Sequence, residues 1–294
     1  MYKQPSSCHC FAFFTVLLWS SAYVFTKIAM QHFTAPALGF LRCAIAAAIL
    51  TILLFIRKAA LPKAIDIPWL ILSGVTGFAA YLLVFNKGSG FLSPTTSCIL
   101  ISTSPIISAV MARCLFAEKL TKSGWAAILL AFSGVVLLMV WDGPIVASRE
   151  GIFWMLCAAV SISLYNILQR KLSRDYTAFQ VTAYSFLAGT ALLAWGIPQA
   201  AAEVQSATLP QLGTVVFLGV FPSALAYLFW ARALALAPNT SSVTNFMYLT
   251  PLLALVLEYL IMARLPGPGT FIGGSIILAS LILFAKTGRE KQRN

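Results

Sequence analysis

Residues 88–120 read GSGFLSPTTSCILISTSPIISAVMARCLFAEKL, and residues 231–265 read ARALALAPNTSSVTNFMYLTPLLALVLEYLIMARL. In both stretches Ser and Thr follow a proline at the start of an apolar segment. A second proline lies in the middle of that segment, at Pro105 and at Pro251, and a basic residue stands near its end. The same order of residue types in two distant places predicts that the chain contains an internal repeat.

The apolar segments around these stretches are long enough to cross a membrane. Of the 294 residues, 60% are hydrophobic and only 10% are charged, whereas soluble domains carry about 25% charged residues. A helix needs about 20 apolar residues to cross the hydrocarbon core, because each residue rises only about 1.5 Å. Charged residues, prolines and glycines therefore divide the chain into ten predicted spans, at residues 11–30, 36–56, 67–86, 95–117, 123–141, 151–170, 178–197, 211–234, 240–263 and 267–286.

The order of these spans predicts two homologous halves in opposite orientation. Each half holds five spans, and because five is odd, the second half enters the membrane from the opposite side to the first. We expect an all-α polytopic membrane protein with ten transmembrane helices. Residues 1–145 would form the first five-helix repeat and residues 146–294 the inverted second repeat, with no soluble catalytic domain.

The positions of the positive charges predict the orientation of the chain. The net charge is +12, and cytoplasmic loops of membrane proteins are enriched in Lys and Arg. With a cytoplasmic N-terminus, only Lys87, Arg149 and Arg264 face outside among the loop residues. Fourteen face the cytoplasm, namely Lys3, Arg57, Lys58, Lys63, Lys119, Lys122, Arg170, Lys171, Arg174, Arg232, Lys286, Arg289, Lys291 and Arg293. We expect both termini in the cytoplasm and the protein in the inner or plasma membrane.

Several functions are excluded by the residue pattern. The basic residues form no continuous stripe, so nucleic-acid binding is excluded despite the net charge. The Cys-His-Cys run at residues 8–10 lacks two further ligands in a spacing that zinc sites use, so we expect no metal site and no cofactor. No Walker loop, H-E-x-x-H or G-x-S-x-G motif occurs in a suitable context. We therefore expect no catalytic residues and no ATPase within the chain.

Glu258 is the acidic residue that lies deepest within a predicted span, whereas the other seven lie in loops, tails or span ends. An ionisable group within the membrane costs about 2.5–3.5 kcal/mol on insertion scales, so it marks a functional position. Glu258 is our candidate for proton coupling, because a coupled transporter needs a group that exchanges a proton inside the access path. The alternative is a structural carboxylate near the outer end of its span, paired with a basic group.

Two basic residues, Lys27 and Arg42, lie near the outer ends of the first and second predicted spans. One interpretation is that their long side chains extend to the membrane surface. The other is that they hold the mouth of a cavity positive and bind a carboxylate or phosphate of the substrate.

Polar aromatic side chains recur at matching places in the two halves. Trp19 and Tyr23 are four residues apart and share a helix face, and Tyr165 with Asn166 occupies the equivalent stretch of the sixth span. An aromatic belt at the membrane surface would explain the residues near span ends, but hydroxyl groups deep in a span need partners. We therefore favour a cavity for ligands with an apolar body and a polar head, lined by Trp19, Tyr23, Lys27, Arg42, Tyr81, Tyr165, Asn166, Tyr227, Trp230, Asn245 and Tyr248.

Pro105 and Pro251 interrupt the helical hydrogen bonds in the middle of the fourth and ninth predicted spans. Such an interruption is tolerated only where the backbone lines protein or a cavity. The hydroxyl groups of residues 102–104 are placed to satisfy the carbonyl groups that Pro105 leaves free. We expect both prolines to kink their helices and to act as hinges during transport.

These features resemble the drug/metabolite transporter superfamily, in the form built from two EamA repeats. The resemblance rests on the run WSSAYVFTK at residues 19–27, on the Pro-x5-Arg motif that ends at Arg42, and on Pro105 followed 13 residues later by Glu118. It covers essentially the whole chain, although Arg264 stands in the second half where Glu118 stands in the first. The resemblance implies a ten-helix fold and the export or exchange of small polar metabolites, amino acids or drugs.

The sequence therefore predicts a secondary transporter that moves small metabolites, such as amino acids or amphipathic drugs, outward by alternating access. A membrane-embedded lipid- or sugar-modifying enzyme is one alternative, but it would need acid and base groups at one depth, where the sequence offers a single carboxylate. A channel is the other, although no span repeats a pore-lining polar stripe. The expected partners are a small-molecule substrate and the lipid bilayer, and the protein is expected to be a monomer or homodimer.

Overall fold

The computed structural model describes residues 5–116, 122–141, 149–236, 243 and 245–293, and all regular structure in these residues is helical. The predicted all-α class is confirmed. The α-helices are α1 (Pro5–Ala29), α2 (Ala35–Ile56), α3 (Ile67–Gly74), α4 (Ala80–Phe91), α5 (Pro94–Ile101), α6 (Ser104–Phe116), α7 (Lys122–Trp141), α8 (Arg149–Leu172), α9 (Ala178–Leu192), α10 (Ile197–Ser206), α11 (Leu209–Val220), α12 (Ala226–Leu236), α13 (Thr250–Met262) and α14 (Pro268–Arg293).

Many of these helices form membrane spans by length and composition. Six described stretches are long and apolar enough to cross a bilayer, namely Cys8–Ala29, Ala35–Ile56, Ala64–Phe91, Pro94–Cys114, Arg149–Leu172 and Leu209–Leu236. A pair bent by 49°, Ala178–Leu192 with Ala194–Ser206, makes a seventh if it counts as one span. Three shorter apolar helices are Lys122–Leu137, Phe246–Met262 and Pro268–Leu283. The chain is a polytopic membrane protein, and the number of ten spans stays a prediction.

The third predicted span of each half contains a π-helical segment in its middle. Val75–Ala79 joins α3 to α4, and Phe221–Leu225 joins α11 to α12. Both of these composite helices, Ala64–Phe91 and Leu209–Leu236, are 28 residues long. A π segment widens one helical turn by an extra residue, and it often occurs at functional positions. Its presence at corresponding places agrees with an internal repeat.

Both mid-span prolines stand one residue inside the start of a new helix. Helix α5 ends at Ile101 and α6 begins at Ser104, so the fourth span is interrupted just before Pro105. In the second half a 3-10 turn, Asn245–Leu249, precedes α13, in which Pro251 is the second residue. A proline ring clashes with the preceding turn and lacks an N–H group, which explains both interruptions. The use of these prolines as hinges stays a prediction.

Hydroxyl groups satisfy carbonyl oxygens at both interruptions, and they come from the opposite half of the chain. The hydroxyl of Ser163 on α8 donates to the carbonyl oxygen of Ser104 at 2.9 Å. The hydroxyl of Ser20 on α1 donates to the carbonyl oxygen of Thr250 at 3.1 Å. Ser104 and Thr250 each directly precede one of the two prolines. The two hydroxyls also lie 2.6 Å from carbonyl oxygens of their own helices, those of Ala159 and Val16. Because a hydroxyl has one hydrogen, each is shared between its own helix and the broken helix of the other half.

The helices pack in pairs that join the two halves. Helix α4 packs against α8 and α1 packs against α12, while α2 packs against α9 and α7 against α14. In the two halves α1 corresponds to α8 and α4 to α12, so exchanging the halves turns the α4–α8 pair into the α12–α1 pair. The α2–α9 and α7–α14 pairs each join corresponding helices and stay unchanged. This pattern is what a two-fold relation between the halves produces. An inverted relation, with the axis in the membrane plane, stays a prediction.

The contact between α7 and α14 depends on glycine. A Cβ atom added to Gly134 of α7 would lie 2.8 Å from the carbonyl oxygen of Gly273 and 2.7 Å from the side chain of Ile277, both on α14. These distances are shorter than van der Waals contact, so any larger residue at Gly134 would push the helices apart. Small residues allow this close backbone approach between membrane helices.

Candidate substrate site

Aromatic residues that the sequence predicts to line the cavity lie on three helices. Phe78, in the π segment Val75–Ala79, joins their rings in one contact network. Trp19 of α1 lies against Tyr227 and Trp230 of α12, with ring centroids 5.5 and 5.3 Å apart. Tyr227 lies 6.0 Å from Phe78, and Phe78 lies 5.3 Å from Tyr165 of α8. The structure thus brings together rings that are more than 200 residues apart in sequence.

Two more predicted rings, Tyr23 and Tyr81, lie on either side of Phe85, at centroid distances of 5.4 and 5.3 Å. Tyr23 is buried and interacts with the thiol of Cys98. Tyr81 is half-buried, as are Trp19, Tyr227 and Trp230, whereas Tyr165 is fully packed. The half-buried rings are the accessible ones, and Tyr23 and Tyr165 reach them through Phe85 and Phe78.

Three predicted lining residues take no described part in this network. Asn166 is exposed on α8. Tyr248 is 38% exposed in the turn before α13. The side chain of Asn245 lies outside the described residues. Because Tyr165 and Asn166 are neighbours on one helix, they point about 100° apart, which is why only Tyr165 faces the network.

Arg42 is a buried cation of α2 with few partners. It is only 5% exposed, and its Nη1 donates one hydrogen bond, to the hydroxyl of Thr26 at 3.0 Å. Within the described part of the chain, its Nε has no hydrogen-bond partner. Tyr81 and Tyr227 are close enough to interact with the guanidinium electrostatically. Arg42 therefore lies beside the aromatic network rather than at the membrane surface.

Arg42 also lacks a counter-ion among the described residues, where the ion pairs join Lys63 to Asp175 and Lys87 to Glu150. An unpaired buried charge costs several kcal/mol, and a buried donor without a partner costs about 1–3 kcal/mol. Such a cost is expected at a place where a ligand supplies the missing partner. The arrangement is suited to an anionic group, because guanidinium binds carboxylate and phosphate strongly.

Lys27, the second predicted cation, is partly exposed near the end of α1. Its Nζ donates to the carbonyl oxygen of Gly90 at 2.7 Å, and it interacts electrostatically with Arg264 and Glu258. This places Lys27 at the ends of α1 and α4, beside the carboxylate predicted for proton coupling.

Glu258 is 3% exposed on α13, and its carboxylate is well partnered. Oε2 accepts hydrogen bonds from the backbone N–H of Thr95 at 2.8 Å and from the Thr95 hydroxyl at 2.5 Å. Thr95 lies in the first turn of α5, which Ser93 caps through a bond from the Thr96 N–H. Free N–H groups and the helix dipole stabilise a negative charge at this end. Glu258 therefore joins the second half to the first.

The sequence predicts that Glu203 lies with the acidic residues of loops, tails and span ends. In the structure it is buried, at 8% exposure on α10. Its Oε2 accepts from the backbone N–H of Thr34 at 2.9 Å, at the start of α2, and its Oε1 accepts from Gln199 at 2.6 Å. A second carboxylate of the second half thus holds the start of a helix in the first half. Ala200 and Glu203 are three residues apart and share the buried face of α10. The amphipathic spacing of this helix is the signal that could have indicated the burial of Glu203.

A cavity of about 460 Å³ opens where α1 and α4 end and α2 begins, lined by Met30, His32, Phe33, Thr34, Ala35, Lys87, Gly90 and Phe91. Two buried side chains of α4 near it were not singled out in the sequence. Neither the amide oxygen of Asn86 nor the hydroxyl of Ser89 has a hydrogen-bond partner in the residues that the structure describes. Asn86 lies at the very end of the predicted third span, where a polar residue attracts no notice.

One family model matches the chain twice. The model of the EamA-like transporter family matches residues 6–140 and again residues 149–286. A solved crystal structure of a protein has the same fold, with a TM-score of 0.63 at 19% identity, covering 98% of this chain and 99% of that one. At this identity the likeness concerns the fold alone.

Relatives of the chain carry transporter names. A probable terminal-alkyne amino-acid exporter of Streptantibioticus cattleyicolor is 28% identical over 280 residues, covering 95% of this chain and 93% of that protein. The uncharacterized transporter YdfC of Bacillus subtilis is 26% identical over 264 residues, covering 90% and 86%. An uncharacterized transporter of Archaeoglobus fulgidus is 28% identical over 287 residues, covering 95% and 97%.

The repeated match covers most of the chain, and it agrees with the apolar helices and the paired halves. Transport of a small molecule across a membrane, rather than enzymatic catalysis, is what this family does. The chain therefore belongs to the EamA-like transporter family, as a multi-pass membrane protein that contains the family domain twice.

Proposed function

We propose that the protein is a secondary active transporter that exports amino acids and related small amphipathic metabolites across the plasma membrane by alternating access. One observation carries the proposal: Arg42 is buried beside the aromatic network, with Nε unpaired and no carboxylate partner among the described residues. A substrate carboxylate would complete its pairing. Trp19, Tyr227 and Trp230 would then contact the apolar body of the substrate.

The name of one relative supports the same substrate class. The Streptantibioticus cattleyicolor protein is named as a probable exporter of a terminal-alkyne amino acid. Such a molecule has a carboxylate and an apolar side chain, and these are the two features that Arg42 and the half-buried aromatic rings can recognise. Amphipathic drugs with an anionic group would fit the same walls.

Glu258 is proposed as the group that couples transport to protons. Its carboxylate ties α13 to the start of α5, through both Thr95 bonds. Protonation removes the negative charge that the helix N-terminus stabilises, and so weakens a connection between the two halves. Lys27 interacts electrostatically with both Glu258 and Arg264. Alternating access needs a connection of this kind, one that is stable in one conformation and released in another.

The membrane arrangement is proposed in the form that the sequence predicts. The three shorter apolar helices would also cross the bilayer, giving ten spans in two inverted repeats, divided at about residue 145, with both termini cytoplasmic. The exchange of packing partners between the halves and the distribution of Lys and Arg support it. A green fluorescent protein fused after Asn294 should fluoresce, and one inserted within residues 142–148 should not. The reverse result at equal expression would overturn this orientation.

The transport proposal is tested by counterflow in proteoliposomes that contain the purified full-length protein. Vesicles are loaded with unlabelled L-leucine, L-methionine or L-phenylalanine and then diluted into a trace of the same labelled amino acid. We expect saturable uptake that the corresponding methyl esters, which lack the carboxylate, do not inhibit at tenfold excess.

Two results would contradict the proposal. Flux that does not saturate would indicate a channel. Equal inhibition by the esters would show that Arg42 does not bind the substrate carboxylate.

A further inference from the structure

Asn86 presents a buried hydrogen-bond acceptor that the protein does not use. Its side chain is 0% exposed on α4, and its Nδ2 donates to the carbonyl oxygen of Ala35 at 3.2 Å. A carbonyl oxygen only accepts, so the amide group must face it and the Oδ1 must point elsewhere. No described residue donates a hydrogen bond to that Oδ1.

Gly39 of α2 places this acceptor next to Arg42. A Cβ atom on Gly39 would lie 3.7 Å from Asn86 Nδ2, so the Asn86 amide packs directly on this position. Gly39 and Arg42 are three residues apart and share a face of α2. Helical side chains lean towards the N-terminus of their helix, so the Arg42 side chain extends back towards Gly39. Its bond to Thr26, three residues before the end of α1, agrees with that direction.

Ser89 adds a hydroxyl, which can donate or accept, on the same helix face. It follows Asn86 by three residues on α4, is 2% exposed, and its hydroxyl has no hydrogen-bond partner among the described residues. Ala35, which holds the Asn86 amide, also lines the 460 Å³ cavity at the start of α2. Lys87 and Gly90, the residues that follow Asn86 and Ser89, line this cavity too, so both polar side chains belong to the turns of α4 that border it.

The unused groups in this place are complementary in type. The described residues with an unpaired buried side-chain atom are Arg42, Thr51, Asn86, Ser89, Ser97 and Ser108. Arg42 and Asn86 lie where α2 meets α4, and Ser89 lies one turn further along α4. They comprise one cationic donor, one amide acceptor and one hydroxyl that can donate or accept. An amino acid carries a carboxylate, which only accepts, beside an ammonium group, which only donates.

Resting on the proposed function, we propose that Asn86 Oδ1, assisted by the Ser89 hydroxyl, binds the substrate ammonium group while Arg42 binds the carboxylate. The site then selects zwitterionic amino acids over simple carboxylates. A carboxylate without the ammonium group leaves Asn86 unpaired in the complex, and a site built to hydrogen-bond a polar group discriminates strongly against a ligand that lacks it.

The test compares each amino acid with its des-amino analogue. Binding to the purified full-length protein is measured by isothermal titration calorimetry for L-leucine and 4-methylpentanoate, L-methionine and 4-(methylsulfanyl)butanoate, and L-phenylalanine and 3-phenylpropanoate. We expect the wild-type protein to bind the best amino acid at least tenfold more tightly than its analogue. Asn86→Leu should reduce this ratio to less than threefold, by weakening the amino acid more than the analogue.

Two further variants make the result interpretable. Thr51→Val removes another unpaired buried hydroxyl, nine residues beyond Arg42 on α2, and should leave the ratio unchanged. Ser89→Ala is a smaller change that should lower the ratio about threefold, so it serves if Asn86→Leu does not fold.

Each outcome decides one proposal. Failure of the wild-type protein to bind any of the three amino acids would contradict the proposed function itself. Equal affinities for amino acid and analogue would leave that function standing and overturn the role of Asn86. A tenfold ratio that survives both Asn86→Leu and Ser89→Ala, or equal weakening of both ligands, would overturn it as well.

Discussion

Arg42 and Glu258 are both ionisable side chains buried within predicted spans, yet their surroundings differ. Among the described residues, Arg42 donates a single hydrogen bond, to a hydroxyl, and its Nε has no partner. Glu258 accepts two hydrogen bonds from Thr95 at the start of α5. The described fold leaves the hydrogen bonding of Arg42 incomplete, whereas it supplies the Glu258 carboxylate with partners.

This difference separates a binding group from a structural connection. The cost of burying Arg42 is not offset within the described protein, so its retention requires a partner from outside. Burial of Glu258 is offset by a helix N-terminus of the other half, so its removal should cost stability. Because the partner of Glu258 belongs to the other half, its hydrogen bonds can break when the halves move. Proton coupling would use that release.

The largest expected effect is that of replacing Arg42 by Met, which has similar length and no charge. Substrate affinity should fall at least tenfold, since a charged hydrogen bond contributes about 1.5–3 kcal/mol. The free energy of unfolding in detergent should not fall, because an unpaired buried charge is removed. Isothermal titration with the best amino acid and denaturation in sodium dodecyl sulfate measure the two quantities.

Arg57→Met is the matched control, since Arg57 is exposed just beyond the end of α2. It should change affinity less than twofold. A stability loss in Arg42→Met with unchanged affinity would reverse the roles given to Arg42 and Glu258.

Glu258→Gln tests whether the completed connection also carries the proton. The amide keeps the shape and an acceptor for Thr95, but it does not titrate near neutral pH. In proteoliposomes we expect gradient-driven accumulation to fall at least tenfold, while exchange of substrate across the membrane stays within about twofold. Unchanged accumulation at matched protein level would make Glu258 purely structural.

Glu258→Ala measures the structural part of the connection. It leaves the N–H and hydroxyl of Thr95 buried without this partner, so the free energy of unfolding should fall by about 2 kcal/mol. Glu150→Ala is the control, because Glu150 is half-exposed and its pair with Lys87 is 3.9 Å long. Surface pairs contribute about 0–1 kcal/mol. Equal losses in the two variants would show that the Thr95 bonds add nothing to stability.

The smallest effects should come from Ser20→Ala and Ser163→Ala, which remove neutral and fully partnered groups. Each should lower the free energy of unfolding by about 1 kcal/mol, the net contribution of one hydrogen bond. Substrate affinity should not change. The two losses should agree within about 0.5 kcal/mol, because the hydroxyls occupy equivalent places at the two helix interruptions. A much larger loss in one variant would argue against equivalent halves.

Helix positions could be predicted from the sequence because they depend on local apolar length. The second span was predicted at residues 36–56 and α2 is Ala35–Ile56. The sixth was predicted at residues 151–170 and α8 is Arg149–Leu172. The π segments could not be predicted, because Val75–Ala79 and Phe221–Leu225 are as apolar as the turns beside them.

Hydrogen-bond partners could not be predicted, because they come from distant parts of the chain. Glu258 and Thr95 are 163 residues apart, and Glu203 and Thr34 are 169 apart. The sequence therefore indicated that Arg42 and Glu258 matter, but not which of them is paired. Asn86 was missed for the same reason. Its amide group donates to α2, which turns the amide oxygen away, and the sequence does not show that contact.

The glycine contact between α7 and α14 sets an order of events during synthesis. Helix α7 leaves the ribosome long before α14, and at ~5–20 residues per second the interval is on the order of ten seconds. During that time the face of α7 around Gly134 has no partner and must be held by the insertion machinery or face lipid. This contact therefore forms only after α14 is made, and a chain that terminates before α14 exposes this face to quality control.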